Sequence, residues 1–131
     1  MNRLHHVTVE VDRGKIAEEK LLWGLLGYGE TNALARNRPK IHWLINLEEG
    51  MAVHLHPTDR TPAEYGLFHL AFVVTDFDRT VRQLESFDFP VEEAMDWHGP
   101  RRYVRAPSGY YVELLSASPS IVAGMPTEGE S

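Results

Sequence analysis

The chain opens with a segment in which apolar and polar residues alternate, LHHVTVEV (4–11), and this alternation predicts a half-buried β-strand. A helical period follows over residues 15–26, and Gly27 stands where that helix is expected to end. Two further alternating segments, 41–47 and 50–57, are joined by the short turn EEG and predict a hairpin. The first half of the chain therefore reads as a strand, a helix and a hairpin.

The same order of elements recurs after a polar linker with two prolines (57–66). FHLAFVV (68–74) alternates like the first strand. Residues 75–87 then have a helical period, and Thr75 with Asp78 resembles a capping box at its start. Three more strand candidates complete this half, over residues 91–97, 101–107 and 109–116. The overall pattern is βαβββ twice, which predicts an α+β fold.

Alignment of the two halves identifies an internal repeat. GMAVHL (50–55) aligns with GYYVEL (109–114), with glycine, valine and leucine in register, and both halves begin with a histidine followed by alternating apolar residues. In the first and last strand of each half, a histidine or glutamate lies on the strand face opposite to the face that carries the aliphatic residues. The aliphatic faces can be covered by the two helices, and the other faces then line a concave surface. The repeat thereby selects four positions: His6, His54, His69 and Glu113.

Length and composition narrow the class of protein. The 131 residues suit one domain over residues 1–116, with module one at about 3–57, module two at about 68–116, and a flexible tail at 117–131. The net charge of -6, with 13 Lys plus Arg and 19 Asp plus Glu, disfavours nucleic acid as a partner. No apolar run approaches the roughly 20 residues that span a bilayer, and no signal peptide is evident. A soluble, cytoplasmic protein is expected.

The absence of cysteine determines which metal sites are open to this chain. With zero cysteines there are no thiolate ligands, so a metal must be held by imidazole and oxygen donors. Three imidazoles and one carboxylate suit Zn, Ni, Fe(II), Co or Mn. A six-coordinate ion with these four ligands keeps two open positions. Such an ion can act as a Lewis acid on a small substrate that chelates it through two neighbouring oxygens.

Several motifs resemble the vicinal oxygen chelate superfamily: HHV in the first strand, FHLAF in the fifth, APSGYYVELL in the eighth, and the doubled βαβββ pattern. This superfamily includes glyoxalase I, methylmalonyl-CoA epimerase, extradiol dioxygenases and fosfomycin and bleomycin resistance proteins. The resemblance covers about residues 3–116. It implies a curved mixed sheet with helices on the convex face, and metal ligands in the first and last strands of each module. These ligands correspond to His6, His54, His69 and Glu113.

His54 departs from the superfamily pattern, since glyoxalases and epimerases usually carry Glu or Gln there. The leading expectation is a glyoxalase-type lyase or isomerase, in which His54 is the fourth ligand or an acid or base beside the metal. Glu113 would then be a ligand that can also act as general base. If His54 does not coordinate, the remaining two histidines and one carboxylate suit Fe(II) and O₂, and a dioxygenase is the alternative. A third alternative is a binding protein that sequesters an antibiotic or another small molecule without catalysis.

Three further residues are candidates for contact with the substrate. His56 shares the strand face of His54 and is predicted at the rim of the pocket. Tyr111 has the same parity as Glu113, and Arg102 could bind a carboxylate or phosphate group. The resemblance also implies paired modules, either within one chain or exchanged between the two chains of a homodimer. In an exchanged dimer the two histidines of module one would meet the His–Glu pair of the other chain.

Overall fold

The computed structural model describes residues 4–31, 41–59, 69–94 and 99–116. In the first half, the elements are β1 (His6–Asp12), a single 3₁₀ turn (Arg13–Lys15), α1 (Ile16–Leu25), β2 (Gly29–Thr31), β3 (His42–Asn46) and β4 (Met51–Thr58). In the second half, they are β5 (His69–Val73), α2 (Phe77–Ser86), β6 (Val91–Glu93), β7 (Arg101–Arg105) and β8 (Tyr111–Leu115). The predicted tail at 117–131 lies outside the described residues.

Each half forms its own mixed four-stranded sheet. The strand orders are β1-β4-β3-β2 and β5-β8-β7-β6, so equivalent strands occupy equivalent places. The first and last strand of each half are parallel neighbours, and the other pairs are antiparallel. The α+β prediction and the doubled βαβββ pattern are therefore confirmed. Neither helix in the described part of the chain has the length and apolar character needed to cross a membrane.

By its contacts the chain divides into two compact units. The first comprises Met1–Leu67 with Ala106–Tyr110, and the second comprises Phe68–Arg105 with Tyr111–Ser131. The turn between β7 and β8, which the sequence analysis placed in module two, thus belongs by its contacts to the first unit.

Local signals explain where the helices begin and end, with one correction. Gly27 follows α1 at a φ of 96°, a backbone conformation that glycine adopts without strain, as the sequence indicated. At the start of α2 the capping residue is Asp76, whose carboxylate accepts a hydrogen bond from the backbone N–H of Arg79 at 3.3 Å. The predicted capping box beginning at Thr75 was therefore wrong by one residue. Aspartate offers the same side-chain acceptor as threonine, and here it occupies the N-cap position.

The two shortest strands compare differently with the sequence pattern, which did not predict β2 and did predict a strand at β6. β2 has only three residues, too few for alternation to be recognised. The strand predicted over 91–97 is described only for Val91–Glu93, and residues 95–98 lie outside the described part. Both strands pair antiparallel with a longer neighbour, so pairing rather than local pattern defines them.

The core of the first unit lies on the aliphatic faces of the strands. Val9 and Val11 of β1 and Leu55 of β4 are almost fully buried, together with Leu22 and Trp23 of α1. The helical period predicted over residues 15–26 is buried only in part, because Leu22 is buried whereas three other apolar residues are half-buried: Ile16, Leu25 and Leu26. A carboxylate, Glu19, is also fully buried on this helix.

The second unit has an equivalent core. Val104 of β7 and Val112 and Leu114 of β8 are fully buried, as is Leu84 of α2. Glu113 lies between two of these buried residues in sequence, so its side chain points to the other face of the sheet. In both units the sheet face opposite to the aliphatic core is the one that carries the predicted ligands.

Candidate metal centre

The first unit brings two of the predicted ligands together on neighbouring parallel strands. His54 of β4 stands opposite Thr8 of β1, and His6 stands opposite Ala52, so the two histidines are diagonal neighbours on one face. Their imidazole rings stack with centroids 4.1 Å apart and planes 15° from parallel. His54 is buried, with 5% of its surface exposed, whereas His6 is exposed. One pair of nitrogen donors is therefore already assembled within this unit.

Trp43 packs against this histidine pair. It lies directly opposite His54 across the β3–β4 hairpin, and their ring centroids are 3.4 Å apart. The ring centroid of His6 lies 6.3 Å from that of the indole. An aromatic wall at this position shields the buried imidazole from solvent.

The second unit brings the other two predicted ligands together in the same way. Glu113 of β8 stands opposite Ala71 of β5, and His69 stands opposite Tyr111, so His69 and Glu113 are again diagonal neighbours on one face. The Nε2 atom of His69 lies 3.0 Å from Oε1 of Glu113. Glu113 is 4% exposed, while His69 is exposed. The pattern of one buried and one exposed donor thus repeats in both units.

Two neighbours on β7 hold the Glu113 carboxylate in place. The hydroxyl of Tyr103, directly across the hairpin, donates to Oε1 at 3.3 Å. A guanidinium N–H of Arg101 donates to Oε2 at the same distance of 3.3 Å. Burial, and then the negative charge of Glu113, raise the pKa of Tyr103, so this phenol stays protonated at neutral pH and can donate. The two carboxylate oxygens consequently face different groups, Oε1 toward His69 and Oε2 toward Arg101.

The repeat extends to the aromatic neighbours of the ligands. Trp43 stands opposite His54 in the first unit, and Tyr103 stands opposite Glu113 in the second. The aromatic residue packs against an imidazole in one case and donates a hydrogen bond to a carboxylate in the other. The two units therefore share one framework but differ in the chemistry of the last strand.

The predicted ligands suit a borderline divalent ion, since each unit supplies two adjacent imidazole or carboxylate groups and the sequence has no cysteine. Within residues 4–31, 41–59, 69–94 and 99–116, no three His, Cys, Asp or Glu side chains are grouped closely enough to hold an ion. Each unit thus contributes a pair, and the prediction that the two pairs share one ion stays a prediction.

The three residues predicted to contact the substrate lie in different places relative to the predicted metal ligands. His56 is exposed and lies on the His54 face of β4, opposite Glu10. Tyr111 is half-buried on the Glu113 face, opposite His69. Arg102 lies on the other face of β7, where its guanidinium is 5.9 Å from the ring centroid of Phe77. The structure therefore brings Tyr111 beside the second pair, and it does not bring Arg102 there.

Comparison with known families identifies the group to which the chain belongs. A family model described as the Glyoxalase/Bleomycin resistance protein/Dioxygenase superfamily matches residues 27–114. The chain belongs to this superfamily. The resemblance inferred from the sequence motifs is thereby confirmed. The matched region includes His54, His69 and Glu113, whereas His6 lies before it.

Solved structures of this superfamily have a similar fold. A glyoxalase/dioxygenase from Nostoc punctiforme has a TM-score of 0.70 at 19% identity, with 86% of this chain and 89% of that chain covered. The fosfomycin resistance protein FosX from Listeria monocytogenes, in complex with Mn(II) and sulfate, has a TM-score of 0.70 at 14% identity, with 91% and 93% covered. FosX from Mesorhizobium loti has a TM-score of 0.67 at 18% identity, with 90% and 95% covered. A search of curated proteins finds no match.

Arg101 and Tyr103 are neighbours of Glu113 that were not predicted from the sequence. Their relation follows from the register of the β7–β8 hairpin, which pairs Tyr103 with Glu113 and Arg101 with Leu115. The odd-numbered positions of both strands share one face, which therefore carries Arg101 and Tyr103 together with Glu113. The turn PSG at 107–109 was recognisable in the sequence, and counting outward from it would have indicated this face.

Proposed function

We propose that this superfamily member is a divalent-metal-dependent enzyme of the glyoxalase type, a lyase or isomerase that acts on a small substrate with two neighbouring oxygens. The ion would be held by two imidazoles of the first unit and by the imidazole and carboxylate of the second: His6, His54, His69 and Glu113. The observation that carries the proposal is the paired arrangement, in which equivalent positions of both sheets place two donors side by side.

This proposal gives the residues around the metal ligands specific roles. The ion, when bound, supplies a Lewis acid that polarises the substrate oxygens. Arg101 and Tyr103 orient the Glu113 carboxylate through hydrogen bonds to its two oxygens. Glu113 would be a ligand that can also act as general base, and His54, if it does not coordinate, would be an acid or base beside the ion. Tyr111, beside His69, would contact the substrate, and His56 would lie at the rim.

Titration of the metal-free protein with Co(II) tests this assignment through the visible absorption of the bound ion. Saturation at about one equivalent per chain is expected for the wild type, since four protein donors are typical of one ion. Glu113→Gln should weaken binding at least about tenfold. His42→Ala is the matched control, because His42 lies in β3 and contacts Glu30 rather than the histidine pair. Equal titration curves for all three proteins, or no binding by the wild type, would contradict the proposal.

A non-haem Fe(II) dioxygenase is the second candidate function. It is favoured by the burial of His54 against Trp43, which would suit a histidine that does not coordinate. The remaining donors, His6, His69 and Glu113, then form the two-histidine, one-carboxylate set used with Fe(II). Oxygen uptake by the Fe(II)-loaded protein with a catechol separates the two functions. Uptake retained in His54→Ala would favour the dioxygenase, and a protein without uptake or metal binding would be a small-molecule binding protein.

We further propose that the protein works as a homodimer. Each unit assembles one pair of donors, so the two pairs can meet within a chain or between two chains. Mixing and refolding His54→Ala with His69→Ala distinguishes these arrangements. Exchange between chains predicts that part of the Co(II) binding returns in the mixture, because some sites would contain four intact donors. Pairing within a chain predicts no recovery.

A further inference from the structure

Glu19 of α1 is a buried carboxylate that the proposed metal site does not use. It has no exposed surface, and both of its oxygens accept hydrogen bonds. The backbone N–H of Ser108 donates to Oε1 at 2.8 Å, and the hydroxyl of Tyr110 donates to Oε2 at 2.8 Å. Burial raises the pKa of Glu19 despite these donors. A carboxyl group in such a place costs free energy that an apolar residue of similar size would not.

The hydrogen bonds of Glu19 hold the turn between β7 and β8, because both of their donors, Ser108 and Tyr110, lie between these strands. Tyr110 is also fully buried, and its hydroxyl accepts a hydrogen bond from Trp23 Nε1 at 3.0 Å. The ammonium group of Lys15 donates to the carbonyl of Pro107 at 3.0 Å. We call the side chains of Glu19, Trp23 and Tyr110, with the N–H of Ser108, the α1 clasp. This clasp fastens the turn to the first helix.

The turn that the clasp holds lies between two strands of the second unit. Ala106–Tyr110 belongs by contacts to the first unit, while the strands that enter and leave it, β7 and β8, belong to the second. β8 begins at Tyr111, immediately after the clasped Tyr110, and Glu113 follows two residues later. β8 has only five residues, so we expect a fixed residue immediately before it to restrain the whole strand.

We propose that Glu19 is a positioning residue for Glu113: through the α1 clasp it fixes the residue that immediately precedes β8, the strand that carries Glu113. The inference rests on the proposed function for its metal-binding consequence. Its structural part, that the clasp restrains β8 as well as the turn, stands independently of any metal. The two parts can therefore fail separately.

Hydrogen exchange of the full chain tests the structural part, with Glu19→Leu as the main variant. Leucine fills the buried space but accepts no hydrogen bond, so the amide of Ser108 should exchange at least about tenfold faster than in the wild type, the change that 1.4 kcal/mol produces. The acceleration should extend to the amides of β8, through Glu113. Glu19→Gln keeps a carbonyl acceptor and should restore most of the protection. Glu18→Leu, an exposed neighbour on the same helix, is the control.

Co(II) affinity of the same variants tests the positioning part. Glu19→Leu should bind Co(II) about tenfold more weakly than Glu18→Leu, with Glu19→Gln between them and near the wild type. Faster exchange that stops at Tyr110, or unchanged exchange in Glu19→Leu, would overturn the proposal. A wild type that binds no Co(II) would refute the proposed function, while the exchange result would still decide the clasp. If Glu19→Leu does not fold, Tyr110→Phe removes one donor of the clasp and takes its place.

Discussion

Replacement of Tyr110 by phenylalanine removes one hydroxyl from the interior of the first unit and leaves the ring in place. In the wild type this hydroxyl donates to Oε2 of Glu19 and accepts from Trp23 Nε1, at 2.8 and 3.0 Å. Both Tyr110 and Glu19 have no exposed surface, so water cannot replace the lost partner without entering the core. The change therefore removes the two hydrogen bonds of the α1 clasp that involve the Tyr110 hydroxyl.

The expected loss can be worked out from these contacts. A hydrogen bond to a charged group contributes about 1.5–3 kcal/mol, and the bond from Trp23 Nε1 to the Tyr110 hydroxyl adds about 1 kcal/mol or less. Neighbouring bonds are not additive, so we expect a decrease of about 2–3 kcal/mol in the free energy of unfolding. With an m-value of about 2 kcal/mol per M, the midpoint of urea unfolding should fall by roughly 1–1.5 M.

Urea unfolding followed by tryptophan fluorescence measures this change, with Tyr111→Phe as the matched control. Tyr111 is the next residue, is only half-buried, and lies under the guanidinium of Arg105 at 5.1 Å. Its hydroxyl should contribute about 0.5 kcal/mol or less. A loss for Tyr110→Phe that is no larger than the loss for Tyr111→Phe would refute the α1 clasp as a stabilising contact.

Three further predictions concern stability. Asp76→Ala removes the N-cap of α2 and should lower the free energy of unfolding by about 1 kcal/mol in urea titrations, whereas Thr75→Ala should not. Gly27→Ala should cost about 1 kcal/mol or more by thermal unfolding, because φ is 96° and a Cβ would stand 3.3 Å from Asn46 Nδ2; an unchanged midpoint would contradict this. The raised pKa of Glu19 means that its stabilising contribution is complete below its ordinary value of 4.5 and is lost as pH rises through the native value. The unfolding free energy of the wild type minus that of Glu19→Gln should therefore decrease from pH 4 to pH 8, and a flat difference would be inconsistent with the buried carboxylate.

The doubled fold was predictable because alternation and turn residues are local signals. β1, β4, β5 and β8 alternate strongly, and the glycine-containing turns before β4 and β8 fix where the two hairpins reverse. β2 was missed because a strand of three residues has too little pattern of its own. Asp76 was overlooked as the cap because two adjacent residues can both supply a side-chain acceptor, and only the backbone conformation decides between them.

The pairing of His6 with His54 and of His69 with Glu113 was predictable for a different reason, since the repeat placed these residues at matching positions of known parity. Their neighbours were not, because Arg101 and Tyr103 become adjacent to Glu113 only through the register of paired strands. Glu19 was the hardest to foresee. A carboxylate on a helix is usually exposed, and its partners at Ser108 and Tyr110 lie about ninety residues away in the sequence. Non-local contacts of this kind leave no periodic signal.

Elemental analysis of untagged protein tests the central claim of a divalent-metal site most directly. Wild type, His69→Ala and His42→Ala would be purified side by side and their Mn, Fe, Co, Ni and Zn contents measured per chain. The account predicts about one equivalent in the wild type and in His42→Ala, and a loss of most of it in His69→Ala, because one of four protein donors is gone. The same metal content in all three proteins, or none in the wild type even after these ions are added, would contradict it.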